Sequence, residues 1–310
     1  MEGLDMRILI YGAGVQGRFL AHALNGENND VTLFARNETK RILEKNGVKL
    51  KHTIQKKVTH DHFRLIDILE ENDIYDVIFV TMKYSDFYNV VPSLAKNNSK
   101  NIVFVGNNAN PQALYNSVQN ESLSVKNIGF GFLMTGGEKI DDYATVLRFN
   151  KGELKVGLST ENKDLNQVMD NIFENVNIKL TYQKQFDEWL LSHAAFILPL
   201  NMTTVVREQN GINNKLLNET VAAYNEIYRL IENNGYALIP KAPAFLVKHF
   251  KRTSAMMIKL LFKSGVLDQA KGSTKELDAL YLEFKKLSNN TAISTANLDS
   301  LYQQTVSVSD

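Results

Sequence analysis

Gly12, Gly14 and Gly17 stand at the exit of a short apolar run, residues 7–11 (RILIY), and open a stretch patterned for a helix. Each position has a chemical use. A glycine straight after a strand permits a tight turn, and one two residues on lets a pyrophosphate approach bare backbone. The third lets helix and strand pack closely. Val15 and Gln16 lie between the last two, at the helix N-terminus, where free N–H groups and the positive end of the dipole suit an anion. A second apolar strand ends at Phe34-Ala35-Arg36. The glycines therefore sit inside a strand–helix–strand unit of about 30 residues, the context that turns G-x-G-x-x-G from a weak pattern into a dinucleotide fingerprint.

The end of the second strand bears on which dinucleotide. An NAD site places Asp or Glu about 20 residues on, to accept from the ribose 2′-OH. Here Arg36 and Asn37 come first, no carboxylate precedes Glu38, and Lys40 follows a turn later. A guanidinium can grip a 2′-phosphate with two parallel hydrogen bonds, so the pattern predicts NADP.

The elements that must position these groups are also patterned. Residues 76–81 (DVIFVT) and 101–106 (NIVFVG) read as further strands, separated by helix-compatible stretches. That alternation predicts a parallel sheet covered on both faces, with ligands at the strands' carboxyl ends. Lys83 and Asn107 follow those ends. From 126 to about 182 the chain is β-like, predicting an antiparallel finish to the sheet with a hairpin over 144–158. Helices are then expected at 186–198, 215–234, 242–262 and 274–287, with Asn234-Gly235 as a stop, Ser273 to Glu276 as a start, and a frayed polar tail. The predicted fold class is α/β: a Rossmann dinucleotide-binding domain over 1–183, then an all-helical domain over 184–310 for substrate and dimerisation.

Bulk properties narrow the function. Over 310 residues, 35 Lys and Arg balance 34 Asp and Glu, leaving no excess charge to recruit nucleic acid or an anionic membrane. The absence of cysteine excludes disulfides, thiolate catalysis and sulfur-ligated metals. No apolar run approaches the ~18 residues of a membrane span, and no leader precedes the first strand, so a soluble cytoplasmic protein is expected. His60-Asp61-His62 lacks a third ligand in a recognisable pattern, so no metal is expected, and no G-x-S-x-G elbow occurs.

Taken together, the glycine turn, Arg36, Lys83, Asn107 and the helical second half resemble the ketopantoate reductase (2-dehydropantoate 2-reductase) family. The resemblance implies a Rossmann domain coupled to a helical one, reducing a 2-oxo acid with NADPH in the cleft between. Gly12, Gly14, Gly17 and Arg36 match the family's cofactor positions. Lys83, in VTMKYSD, matches the lysine of its T-x-K motif. Asn107, in VGNNANP, matches the asparagine of its Q-N-G motif, beside nicotinamide and substrate carbonyl, although Gly106 and Asn108 replace the neighbours. Glu276, in STKELD, resembles the glutamate of its T-E-I-D motif, which serves cofactor ribose and substrate.

The helical half departs from the family. Anchored on Pro199-Leu200, the family's catalytic lysine and two asparagines fall on Leu190, Ala194 and Leu198, and its substrate-binding serine on Ala255. Two candidates remain as proton donor. Lys83 stands at a strand's carboxyl end, and His193, three residues past Leu190, has an unperturbed pKa suited to proton transfer. A packing histidine on an apolar helix is the other reading of His193. Met256, Met257 and Leu260 to Phe262 read as core or as a face for a homodimer. Two functions fit: an NADPH-dependent reductase of a small 2-oxo acid or related ketone, and an NADP-binding sensor that has lost catalysis.

Overall fold

The computed structural model describes residues 5–26, 28–157, 163–265, 273–289 and 291–309. The chain divides into two compact units, Met1–Gly106 with Pro111–Phe186, and Asn107–Asn110 with Asp187–Asp310.

The first unit begins with β1 (Met6–Tyr11), α1 (Val15–Leu24) and β2 (Asn29–Phe34), a parallel pair joined by a crossover helix. α2 (Asn37–Asn46) leads into β3 (Val48–His52) and β4 (Lys57–Asp61), and β5 (Arg64–Ile66) returns to pair with β2. On the other side of β1 come β6 (Val77–Val80), α3 (Phe87–Lys96), β7 (Asn101–Val105), α4 (Pro111–Glu121) and β8 (Asn127–Leu133), all strands parallel. β9 (Thr135–Gly136), β10 (Lys139–Ile140) and β11 (Tyr143–Arg148) join the second sheet. β12 (Glu153–Gly157), α5 (Lys163–Phe173) and β13 (Lys179–Gln183) complete the unit. The main sheet runs β13-β12-β8-β7-β6-β1-β2-β5, and the smaller runs β10-β11-β3-β4.

Central strands are apolar throughout because helices cover both faces. Ile8, Ile10, Val77, Phe79, Val103 and Val105 point into one core with α1 and α5. On the other face Phe104 meets Phe87 of α3, with 5.2 Å between ring centroids.

Two expectations for residues 126–182 are corrected. The segment is not a plain antiparallel finish: β8 is parallel to β7, and α5 intervenes before β13. Nor do β11 and β12 form a hairpin. β11 pairs in parallel with β3 and β12 antiparallel with β8, and between them Gly152, at φ +85°, turns the chain from one sheet to the other. A period of two reports which face is buried, not which strand lies alongside.

The second unit is built from six helices among the described residues: α6 (Phe186–Asn210), which starts at the junction, α7 (Asn214–Asn233), α8 (Lys241–His249), α9 (Lys251–Lys263), α10 (Thr274–Ser288) and α11 (Ala296–Ser309). α6 continues twelve residues past its expected end, through Pro199, whose missing N–H removes the ladder donor to the Ala195 carbonyl, and side chains bond to carbonyls nearby. Thr203 Oγ1 donates to the Pro199 carbonyl at 2.7 Å and Tyr224 Oη to that of Phe196 at 2.6 Å. An 18-residue window of the 25-residue α6 has a mean hydropathy of 1.4, so the helix is by length and composition apolar enough to cross a membrane, but 72% of that window is buried inside the structure, as in a core helix.

The helix expected over 242–262 is two helices meeting at Phe250, whose φ and ψ of −132° and 57° break the ladder. Ile258 and Phe262 enter the core, whereas Met256, Met257, Leu260 and Leu261 are exposed, so the core reading fails for those four. Nor is the tail frayed. Glu226 on α7 accepts the backbone N–H groups of Asn297 and Leu298, at 3.0 and 2.9 Å, and caps α11 from across the unit.

Candidate active site

β1 lies between β2 and β6, the point where the strand order reverses, and ligands of such sheets sit at the carboxyl ends there. Gly12, just past β1, has φ +124°, and Thr81 Oγ1 donates to its carbonyl at 2.9 Å. A Cβ on Gly17 would lie 1.9 Å from that same carbonyl oxygen, so only glycine lets α1 approach so closely. A Cβ on Gly14 would meet nothing within 4 Å. That open space faces a helix start with no side-chain cap, leaving first-turn amides for a ligand. Two glycines thus shape the backbone and the third leaves room, and this cradle fits a dinucleotide diphosphate.

Arg36 is the exposed N-cap residue of α2, its guanidinium 5.8 Å from the Phe34 ring. It makes no ion pair among the described residues. Its neighbours are committed: Lys40 lies 3.0 Å from Asp67 and Arg41 pairs with Glu38. Arg18 carries no signal in the sequence pattern, being merely the residue after the third glycine. In the structure it is fully buried, with Nε donating to the Ala13 carbonyl at 3.0 Å.

Lys83 follows β6 and is exposed, its carbonyl accepting from the Asp86 N–H at 2.9 Å in a one-turn 3-10 helix. Its ammonium has no partner among the described residues. Within the second unit, Asn107 and Glu276 come together: Asn107 Nδ2 donates to Glu276 Oε1 at 3.0 Å. Glu276 is 9% exposed, in the first turn of α10, where Ser273 is the N-cap. Asn107 Oδ1 is buried and without a hydrogen-bond partner, as is Asn108 Nδ2. Asn110 Nδ2 reaches Glu283 Oε2 at 3.3 Å. The tetrapeptide Asn107–Asn110 is thereby tied to α10 at two carboxylates two turns apart.

His193 stacks on Trp189, ring centroids 5.1 Å apart and planes within 7°. Burial lowers its pKa from the ordinary value to about 4. It is therefore neutral at neutral pH, which suits a packing role better than release of a proton. Leu190, Ala194 and Leu198 are at most 1% exposed and offer nothing polar. Ala255 lines a groove of about 380 Å³ together with Asn214, Asn218, Arg252, Met256 and Lys259, and no acid among the described residues lines it. Among the described residues no group of three His, Asp or Glu could hold a metal ion. His60 bonds instead to the Asn46 carbonyl at 2.6 Å.

A mostly parallel sheet with a glycine turn at its switch point, followed in sequence by a helical unit, is the architecture shared by Rossmann-based oxidoreductases that use a nicotinamide dinucleotide. The family model for ketopantoate reductase PanE/ApbA matches residues 8–161, and over that segment the chain belongs to this family. D-mandelate dehydrogenase, in a ternary structure with NADH and anilino(oxo)acetate, superposes with a TM-score of 0.77 at 12% identity, over 98% of each chain. The probable 2-dehydropantoate 2-reductase of Bacillus subtilis gives 0.69 at 16% identity, over 98% of this chain and 100% of its own. The dimeric ketopantoate reductase of Staphylococcus aureus gives 0.70 at 15%, over 98% of each. At these identities the likeness is one of fold. No curated protein matches the chain in sequence.

Proposed function

We propose that the protein is an NADPH-dependent reductase of the ketopantoate reductase type, acting on a small 2-oxo acid, ketopantoate or a relative. The observation that carries this reading is Asn107, held by Glu276 and presenting a carboxamide oxygen with no partner. Such an atom awaits a ligand, because a buried polar group left unpaired costs free energy. Bound NADPH would supply the hydride. The first-turn amides of α1, with Gly12, Gly14 and Gly17, hold the diphosphate, and Arg36 grips the 2′-phosphate. Asn107 faces the carbonyl through the second proton of Nδ2, its Oδ1 accepts from a donor of the bound ligand such as the nicotinamide carboxamide, and Glu276 accepts from a ribose hydroxyl. Lys83 stabilises the developing alkoxide and then protonates it. The groove at Ala255, with Arg252 and Lys259, suits the carboxylate end of the substrate. A homodimer through the exposed apolar side chains of α9 belongs to the same reading.

The buried apolar side chains at Leu190, Ala194 and Leu198 favour a second reading, an NADP-binding sensor without catalysis. NADPH oxidation against a panel of 2-oxo acids, ketopantoate included, separates the two. Turnover is expected on at least one panel member. Lys83→Ala and Asn107→Ala should each lower kcat by about 100-fold while NADPH still binds. Turnover that survives both substitutions sinks the assignment of these residues, and binding without turnover across the panel supports the sensor.

A further inference from the structure

We infer that Arg18 is an electrostatic anchor for the diphosphate of the dinucleotide, a buried guanidinium tied to the glycine turn whose two terminal nitrogens are left bare. This rests on the reading that the turn binds a dinucleotide. Arg18, Lys126 and Arg148 are the three buried cations among the first unit's described residues, and only Arg18 is so poorly served. Lys126 Nζ donates to the carbonyls of Asn97 and Ser99. Arg148 reaches His52 Nδ1 at 3.3 Å through Nε and the Asn150 carbonyl through Nη1. Arg18 spends Nε on the Ala13 carbonyl, and neither Nη1 nor Nη2 has a hydrogen-bond partner.

Among the described residues no acid pairs with it. Asp142 alone exerts an attraction, and that carboxylate is already engaged by Lys49 Nζ at 2.9 Å. Burial depresses the Arg18 pKa, but a guanidinium starts so high that it remains charged. An isolated buried charge is among the costlier things a fold can carry. Position 18 has no backbone demand for arginine, so the charge needs a compensating role.

The anchoring bond supplies one. Ala13 lies between Gly12 and Gly14, so its carbonyl fixes the guanidinium against the segment that cradles the diphosphate. The positive charge acts through protein rather than water, where attraction is stronger and salt screens it less. Its effect on an anion adds to that of the α1 dipole. The residue thus weakens the empty protein and strengthens the complex, and those opposite signs make it testable.

The experiment compares the parent chain with Arg18→Met, which keeps the bulk without the charge, and Arg18→Lys, which keeps the charge. Apo melting temperatures are read beside titrations with NADPH and with ADP-ribose, which has the diphosphate but no nicotinamide. For Arg18→Met the apo melting temperature should match or exceed the parent's, while both dissociation constants rise by about tenfold. Arg18→Lys should retain affinity within about threefold. Unchanged affinity in Arg18→Met overturns the inference. So does an apo form that melts lower or fails to fold, because Arg18 is then a structural strut. A parent that binds ADP-ribose but not NADPH sinks the reductase reading and leaves Arg18 to be judged on ADP-ribose. A parent that binds neither ends both.

Discussion

Arg36 and Arg18 are cations of one strand–helix–strand unit, separated by their surroundings: Arg36 is exposed and uncommitted, Arg18 is sealed behind the turn. The position of the first was legible in the sequence because distance along the chain from the glycines is fixed by a strand–helix–strand unit, and its 2′-phosphate role is the one proposed above. The same holds for Lys83 and Asn107, placed by the strands they follow. Arg18 was not legible, since burial with both terminal nitrogens unpaired is a property of the assembled core. His193 was legible only as an ambiguity, and burial moves it toward the packing reading. Arg36 carries its own prediction. Arg36→Ala should weaken NADPH binding by about tenfold, roughly one charge-assisted hydrogen-bonded contact, and leave NADH binding nearly unchanged. Fluorescence titration with the two reduced cofactors reads the difference, and an equal loss for both would remove Arg36 from the 2′-phosphate.

Element boundaries failed where the deciding partner was distant in sequence. Residues 301–309 look polar and unsupported locally, yet α11 forms because Glu226, some seventy residues earlier, accepts two of its first backbone N–H groups while Leu298 and Leu301 are buried. Capping by a remote carboxylate does the work of a local Ser or Asp. Likewise β11 and β12 carry the burial alternation of a hairpin, but their partners β3 and β8 are chosen by tertiary packing. By contrast Ser273 and Asn234-Gly235 act within their own turns, and α10 starts and α7 stops where the local pattern predicts. Glu226→Ala should therefore cost about 1–3 kcal/mol, read by chemical denaturation, and should raise amide exchange chiefly in α11. Exchange that rises evenly over the chain would argue against a capping role.

At the scale of the whole molecule, each unit holds a histidine that burial keeps neutral. His52, with Arg148 adding to the effect of burial, and His193 are both lowered from 6.5 to about 4. The unfolded chain binds protons near 6.5 that the folded chain refuses until about 4, so stability is complete above 6.5 and is lost as pH falls through that window. For His52, 2% exposed, the effect is on the order of 3 kcal/mol. Melting temperature should fall steeply from pH 6.5 to 4, and a His52→Asn, His193→Asn double variant should show a flatter slope; an unchanged slope would clear both residues. The route of the chain has a further consequence. It passes from one unit to the other after Gly106, after Asn110 and after Phe186. The helical unit is therefore inherited as two pieces, and a chimera spliced only at residue 186 would pair a foreign α10 with a tetrapeptide selected for Glu276 and Glu283. Recombination among relatives succeeds here only when four residues from the middle of the Rossmann sequence travel with the C-terminal half.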